Sequence, residues 1–397
     1  MLRKLFSDSV LKWLQLFLLL LFVVGLFWVF WRLSEHDSSR RPPYDTFNYP
    51  KQDLNYSFGD TSVYIEIAIQ PLWIPVSLIT QVIKHDRILA DSLKARGKVL
   101  KFFPYYDGGE IIKSLGENKL EGAVAGDMPV LLAAVKKDIQ VVSIIQQGFT
   151  SVVSSHYSQL EDLKGKRVGY VENTNAHYGL LSSLYGRGIE EDELDLVPMN
   201  ITDLTESLYN NEIDAFSAWE PIPGMALHHN SDQKVVNRSL SMGFLFFTHD
   251  FYKNHPDEVK LIVAAEIRAF NWLQSSRSNL LEAVEWLLNS SSGFIEKDYI
   301  NLTNYQLSTL AKKDLIGQVW LPLIHEQLLD STGFLGREFL FLQQKKYIPD
   351  SVNWQRLKRS FNLHLAADLQ NDPDKYRLNE FDYETITHAL TNPPTYD

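Results

Sequence analysis

Two short stretches carry residue types suited to holding a small ligand. In "VENTNAHYGLL", Val171–Leu181, the residues Asn173, Thr174, Asn175, Ala176 and His177 stand between an apolar strand and a helical pattern. Small polar side chains there, with the free N–H groups and positive dipole end of a helix start, favour an oxyanion without any formal positive charge. Thr174 or Asn175 is the expected cap. The stretch "AGDMP" repeats the design with Gly126, Asp127, Met128 and Pro129. A plain capped helix accounts for the same residues and is the competing reading. His177 has the chemistry to donate to an anion or to stack, and it equally fits a satisfied helix histidine. Trp73 and Trp219 offer faces that would clamp a flat or apolar group, and core aromatics are the alternative. Asp127 and Glu220 run against an anion. Ionised in a cleft, they favour a ligand with an amine or N–H donors, whereas Asp127 is also placed to cap its own helix.

Reaction chemistry has few candidates. The sequence holds no GxxxxGK[ST], HExxH or GxSxG motif. It has no Cys, which removes thiol nucleophiles, Cys-bound zinc, iron–sulfur clusters, disulfides and a lipid-bearing Cys together. His228 and His229 are adjacent and point apart on most backbones, a poor metal pair. A formal net charge of −11 without a Lys/Arg cluster argues against nucleic acid. No metal, cofactor or catalytic residue is expected, and the protein reads as a binder rather than an enzyme.

The elements that must position these loops follow an α/β rhythm. "VYIEIAI" (Val63–Ile69) reads as a buried strand, "PLWIPVSLITQVIKHDRIL" as a helix, "KVLKFFPYY" as a strand and "GGEIIKSLGENKL" as a helix opened by Gly108 and Gly109. "EGAVAGDMPVLLAAVKK" is a strand, a turn at Gly126-Asp127 and a helix. "IQVVSIIQQGFTSVVSS" is more strand. The pattern then restarts at "KRVGYV" and runs through "IDAFSAW", after which "MGFLFFT" leads into mostly helical sequence. A restart followed by a return predicts two α/β lobes joined by crossovers near Val152–Gln159 and Val236–Met242. A ligand cleft is then expected at the carboxyl ends of the strands. The 45% hydrophobic content supports a packed core of that size.

The N-terminal part is of another kind. "WLQLFLLLLFVVGLFWVFW", Trp13–Trp31, contains one Gln and no charged residue. As a helix it spans roughly 28 Å, close to the hydrocarbon thickness of a bilayer. Trp13, Trp28 and Trp31 lie near its ends, where indoles prefer the interface. The expected order is a tail over 1–12, a transmembrane signal anchor over 13–33 and a polar linker over 34–59. Lobe 1 follows over 60–155, lobe 2 over 156–238, the helical second part of lobe 1 over 239–345, and a C-terminal helical extension and tail over 346–397. A cleaved signal peptide is the alternative for the apolar run.

Three segments, "ENKLEGAVAGDMPVLLAA", "LEDLKGKRVGYVENTNAHYGLL" and "NNEIDAFSAWEP", together resemble the extracytoplasmic solute-binding proteins of ABC importers for nitrate, taurine and alkanesulfonates. That superfamily includes the pyrimidine-precursor proteins of thiamine metabolism. The resemblance covers roughly residues 63–340. It implies a type II periplasmic-binding-protein fold, two α/β lobes closing on a ligand, here preceded by one transmembrane helix. It further implies that the cleft is lined by Gln70, Pro71, Leu72 and Trp73, by Gly126, Asp127, Met128 and Pro129 with Gly108 and Gly109 nearby, and by Asn173–His177, with Trp219 and Glu220 as the far wall. The implied function is capture of a small solute, sulfonate-like or another small anion, for an ABC permease. The implied location is the inner membrane, single-pass, with the main domain facing the periplasm or cell exterior. A membrane-tethered sensor reporting to a partner protein is the alternative. A pyrimidine-synthesis enzyme fits less well, because those relatives carry a Cys-rich motif.

Overall fold

A computed structural model describes residues 54, 56–291, 294–295, 299–315 and 322–383. The anchor expected over 13–33, the tail before it and most of the linker lie outside the described residues, as does the end of the C-terminal tail. Among the described residues no helix is long and apolar enough to cross a membrane.

The chain opens with β1 (Tyr64–Ile69), whose side chains are almost all buried. Helix α1 (Val76–His85) and α2 (Arg87–Lys94) follow. The sequence pattern reads as one helix there, but the structure breaks it at Asp86. Asp86 is extended, and its carboxylate accepts the Leu89 N–H as the N-cap of α2. The same carboxylate meets Arg268 at 2.8 Å in a fully buried pair. A capped, paired carboxylate thus overrides a continuous helical periodicity. Next come β2 (Val99–Pro104), α3 (Gly108–Gly116), β3 (Gly122–Gly126) and α4 (Asp127–Lys136). Asp107, one residue before the expected Gly108, caps α3 by accepting the Glu110 N–H.

Strand β4 (Ile139–Ser154) is unusually long. After it come β5 (Arg167–Tyr170), α5 (Asn175–Gly186), β6 (Asp195–Pro198), α6 (Leu204–Tyr209), β7 (Ala215–Trp219) and α7 (Ile222–His229). The second long strand, β8 (Lys234–Thr248), then returns. Helices complete the chain: α8 (His249–Asn254), α9 (Pro256–Ser275), α10 (Arg277–Ser291), α11 (Asn304–Leu315), α12 (Phe334–Gln344), α13 (Trp354–Lys358) and α14 (Leu365–Gln370).

The strands hydrogen-bond in the order β2-β1-β3-β8-β4-β7-β5-β6. Each end is a parallel wing: β2, β1 and β3 form the first, and β7, β5 and β6 the second. The centre is the antiparallel pair β4–β8, whose register shifts between Val141 and Ser143, Ile144 and Gln146, and Val152 and Val153. Irregularities of this kind bend a ladder and increase its twist. The crossovers expected as two short connections are therefore two long strands, β8 hydrogen-bonded to the first wing through β3 and β4 to the second through β7. The β-branched run "IQVVSIIQQGFTSVV" is what permits this length. The second wing has its own small apolar cluster around Leu163, Val168, Leu180 and Leu184. A larger core joins the first wing to the C-terminal helices. The region beyond Gln344 folds back on the start of β4, where the Val141 N–H donates to the Ser360 carbonyl and the Asn362 N–H to the Val141 carbonyl.

Candidate functional site

Five loops, each following the carboxyl end of a strand, carry the residues singled out in the sequence. The first wing supplies Gln70–Trp73 after β1, Gly108 and Gly109 after β2, and Gly126–Met128 after β3. The second wing supplies Asn173–His177 after β5, and Trp219 and Glu220 at the end of β7.

Most of these meet across the junction of the wings. A Cβ on Gly126 would lie 3.0 Å from Asn175 Cβ, so the start of α4 is in direct contact with the start of α5. A Cβ on Gly109 would lie 3.5 Å from the Glu172 carbonyl oxygen and 3.8 Å from Asn173 Cβ. Glycine is what allows both approaches. Trp219 Nε1 donates to the Leu72 carbonyl at 2.7 Å, and the Ile74 N–H donates to the Glu220 carbonyl at 2.9 Å. The other side chains keep to their own wing. Gln70 Nε2 donates to the Val124 carbonyl at 3.3 Å, and Gly108 packs on Pro129. Glu220 accepts the Gly224 N–H at 3.0 Å, capping α7, and burial raises its carboxyl above the usual range.

Strand β8 forms the floor, with three successive residues. Asn175 Nδ2 donates to Ser241 Oγ at 2.7 Å, from the second wing. The Met242 N–H donates to Asp127 Oδ2 at 2.8 Å, from the first. Gly243 lies under the Trp73 indole, where a Cβ would come within 2.6 Å of the ring. In the sequence "SMGFLFFT" is only an apolar strand, so nothing there marks Ser241, Met242 and Gly243 as site residues.

The donors expected to cradle an anion are largely engaged within the loop. Thr174 accepts the His177 N–H at 3.3 Å, as the expected cap, and donates to the Val171 carbonyl at 2.7 Å. Asn175 Oδ1 accepts the Ala176 N–H at 2.9 Å. Asn173 adopts φ of 57°, and its N–H donates to His177 Nδ1 at 3.2 Å. That leaves Nε2 facing the Tyr347 hydroxyl at 3.3 Å, with the Tyr170 ring 4.5 Å away from the imidazole. Gly126 is the N-cap of α4, and Asp127, its first residue, accepts the Met128 N–H at 2.9 Å. Asp127 is wholly buried, and this pushes its carboxyl up to about 7, against the pull of the Met242 and Met128 amides.

The C-terminal helix α12 brings further residues to this place. Phe334 and Phe341 approach the Tyr178 ring edge-on, at 6.5 and 5.7 Å. Glu338 lies between them on the same helical face and is 0% exposed. Its charge bears on both Asp127 and Tyr178. Nothing in "FLGREFLFLQQ" distinguishes Glu338 from a solvent-facing residue of an amphipathic helix.

Known proteins resemble this chain in sequence and in fold. Residues 97–276 match the family model described as NMT1/THI5 like. A putative aliphatic sulfonates-binding protein of Bacillus subtilis is 22% identical over 218 residues, which is 52% of this chain and 64% of that protein. The taurine-binding periplasmic protein of Escherichia coli is 24% identical over 188 residues, 44% of this chain and 58% of the relative. The match spans less than two thirds of either relative. Among solved structures, the alkanesulfonate-binding protein of Xanthomonas axonopodis pv. citri bound to MOPS superposes with a TM-score of 0.60 at 15% identity, covering 76% of this chain and 98% of that one. The periplasmic nitrate-binding protein of Synechocystis PCC 6803 gives 0.60 at 11% identity, covering 80% and 91%. These likenesses establish a mixed α/β fold of the kind found in periplasmic binding proteins.

Proposed function

We propose that this protein is an extracytoplasmic solute-binding protein of the type II periplasmic fold. It captures a small solute between two lobes, delivers it to an ABC permease, and catalyses no reaction. The first wing with the C-terminal helices is one lobe, and the second wing is the other. The observation that carries this reading is the convergence of loops from both wings on one buried junction, with Gly126 against Asn175 and Trp219 bonded to Leu72. Residues on separate lobes that meet only when the lobes are together would couple ligand capture to closure. The relatives' names place a sulfonate-like or similar small anion first among the ligands to try. The apolar run Trp13–Trp31 would tether the protein to the membrane, with the lobes outside.

The test is the melting temperature of the full-length chain in mild detergent, measured against alkanesulfonates, taurine, nitrate, bicarbonate and aminopyrimidines. A ligand present at a hundred times its dissociation constant adds about 2.7 kcal/mol, a rise of a few degrees. A rise with one class, abolished by Asn175→Ala, is the expected result. A flat response to the whole panel, with the protein folded, refutes the assignment.

A further inference from the structure

Glu338 is the one wholly buried carboxyl among the described residues for which neither oxygen accepts a hydrogen bond from the protein. Desolvating such a group without a partner costs roughly 1–3 kcal/mol or more. A leucine or methionine would pack the same face of α12 without that cost. The helix around Glu338 is otherwise a good packing element, with Leu335, Phe339 and Leu342 buried. The carboxyl therefore weakens the fold locally, a mark of groups kept for a ligand.

Its position fits that role. Phe334, Glu338 and Phe341 form one stripe of α12, and the two rings flank Tyr178 of α5. Asp127, at the start of α4, is the other carboxyl of this corner, and it already accepts the Met128 and Met242 amides. Three elements thus meet beside the Gly126–Asn175 contact: α4 of the first wing, α5 of the second and the C-terminal α12. Glu338, with both oxygens unpartnered, lies on the α12 face whose two rings flank Tyr178. Carboxylates brought to one corner disfavour an anion and favour N–H donors. An aromatic face beside them suits a cation further.

We propose that Glu338, with Asp127 and Tyr178, forms a subsite for a cationic or N–H-rich group of the ligand, so that the solute carries an ammonium or amidine-like group. This rests on the solute-binding reading above and narrows it: a simple anion such as nitrate lacks the group that Glu338 takes, and a zwitterion possesses it. Glu338 is then a specificity residue contributed from outside the two wings.

The experiment uses the full-length chain and paired probes that differ only in this group. These are 2-aminoethanesulfonate against 2-hydroxyethanesulfonate, and 4-aminopyrimidine derivatives against their 4-oxo analogues. Affinities are measured by calorimetry for the wild type and for Glu338→Gln, with Glu338→Met as the second variant should the first not fold. The expected result is preference for the amino member of a pair, cut at least tenfold by Glu338→Gln, with binding of the partner probe little changed. The ligand-free variants are expected to melt at or above the wild-type temperature, which a structural carboxyl would not allow. If probes bind but the variant weakens both members alike, or the neutral member is preferred, the subsite is refuted and the solute-binding reading stands. If no probe of either kind binds, the subsite is refuted, and the solute-binding reading falls with it only when nitrate and bicarbonate also leave the melting temperature unchanged.

Discussion

Trp219 Nε1 donates to the Leu72 carbonyl oxygen at 2.7 Å, and the residues on either side of that bond belong to different wings of the sheet. The neighbouring Ile74 N–H closes on the Glu220 carbonyl at 2.9 Å, so the link is a two-point clasp. The Trp219→Phe substitution removes one point and preserves the aromatic body. We expect a loss of about 1 kcal/mol, a melting temperature lower by about 2 °C. Small-angle scattering should show a larger radius of gyration for the ligand-free variant. An unchanged radius would mean that the clasp does not govern lobe closure.

Gly126 permits the closest approach of the wings. In Gly126→Ala the new methyl meets Asn175 Cβ at 3.0 Å and Cγ at 3.1 Å, and neither belongs to a freely movable chain end. Overpacking of this sort costs about 1–3 kcal/mol. The variant is expected to melt lower and to bind ligand more weakly. Adding Asn175→Gly should recover part of the loss by relieving the clash. A double-mutant cycle in which the two effects simply add would show that the contact is not limiting.

His177 ties the second wing to the C-terminal segment through Tyr347, at 3.3 Å and with rings 5.4 Å apart. In His177→Ala, amide hydrogen exchange over residues 334–347 should quicken, following the loss of roughly 1 kcal/mol of local stability. Protection left at the wild-type level would show that α12 is held by its apolar contacts alone.

Glu266 lies in the core of the first wing, where Ser143 Oγ donates to its Oε2 at 2.5 Å and its Oε1 accepts no bond. Burial pushes this carboxyl from an unfolded-state value of 4.5 up to about 8, with Ser143 pulling the other way. The folded state therefore binds the proton more tightly than the unfolded chain. Its stabilising contribution is full below pH 4.5 and is lost as pH rises through about 8, by at most roughly 1.4 kcal/mol per unit. Glu266→Gln removes this dependence. Its melting temperature relative to wild type should climb steadily between pH 5 and 8, and a difference that stays level would exclude Glu266 as the titrating group.

The sequence made some of this geometry readable and hid the rest for physical reasons. The strand–helix alternation, the restart after β4 and the Thr174 cap follow from local periodicity and capping chemistry, which depend on neighbours in sequence. The division of donors does not. Whether the Ala176 N–H faces a ligand or Asn175 Oδ1 depends on one side-chain rotamer, and whether Asn173 serves His177 depends on a positive φ. The floor at Ser241–Gly243 and the approach of Glu338 arise from long-range packing, and a helical stripe looks alike whether it meets water or another helix. Asp127 lies between these cases, since its bond to Met128 is local and its bond to Met242 is not.

The place of β8 between β3 and β4 has a consequence for how the chain is made. Gly122 pairs with Phe247 and Gly126 with Gly243, so β3 has no partner on that side until the whole second wing has been synthesised. At ribosomal rates that interval is on the order of ten seconds. Throughout it the nascent protein presents an apolar, unpaired strand edge, the feature most prone to sticking to other chains. The second wing, by contrast, can gather its parallel strands as they emerge. The arrival of a single late strand covers that edge and joins the two halves at once.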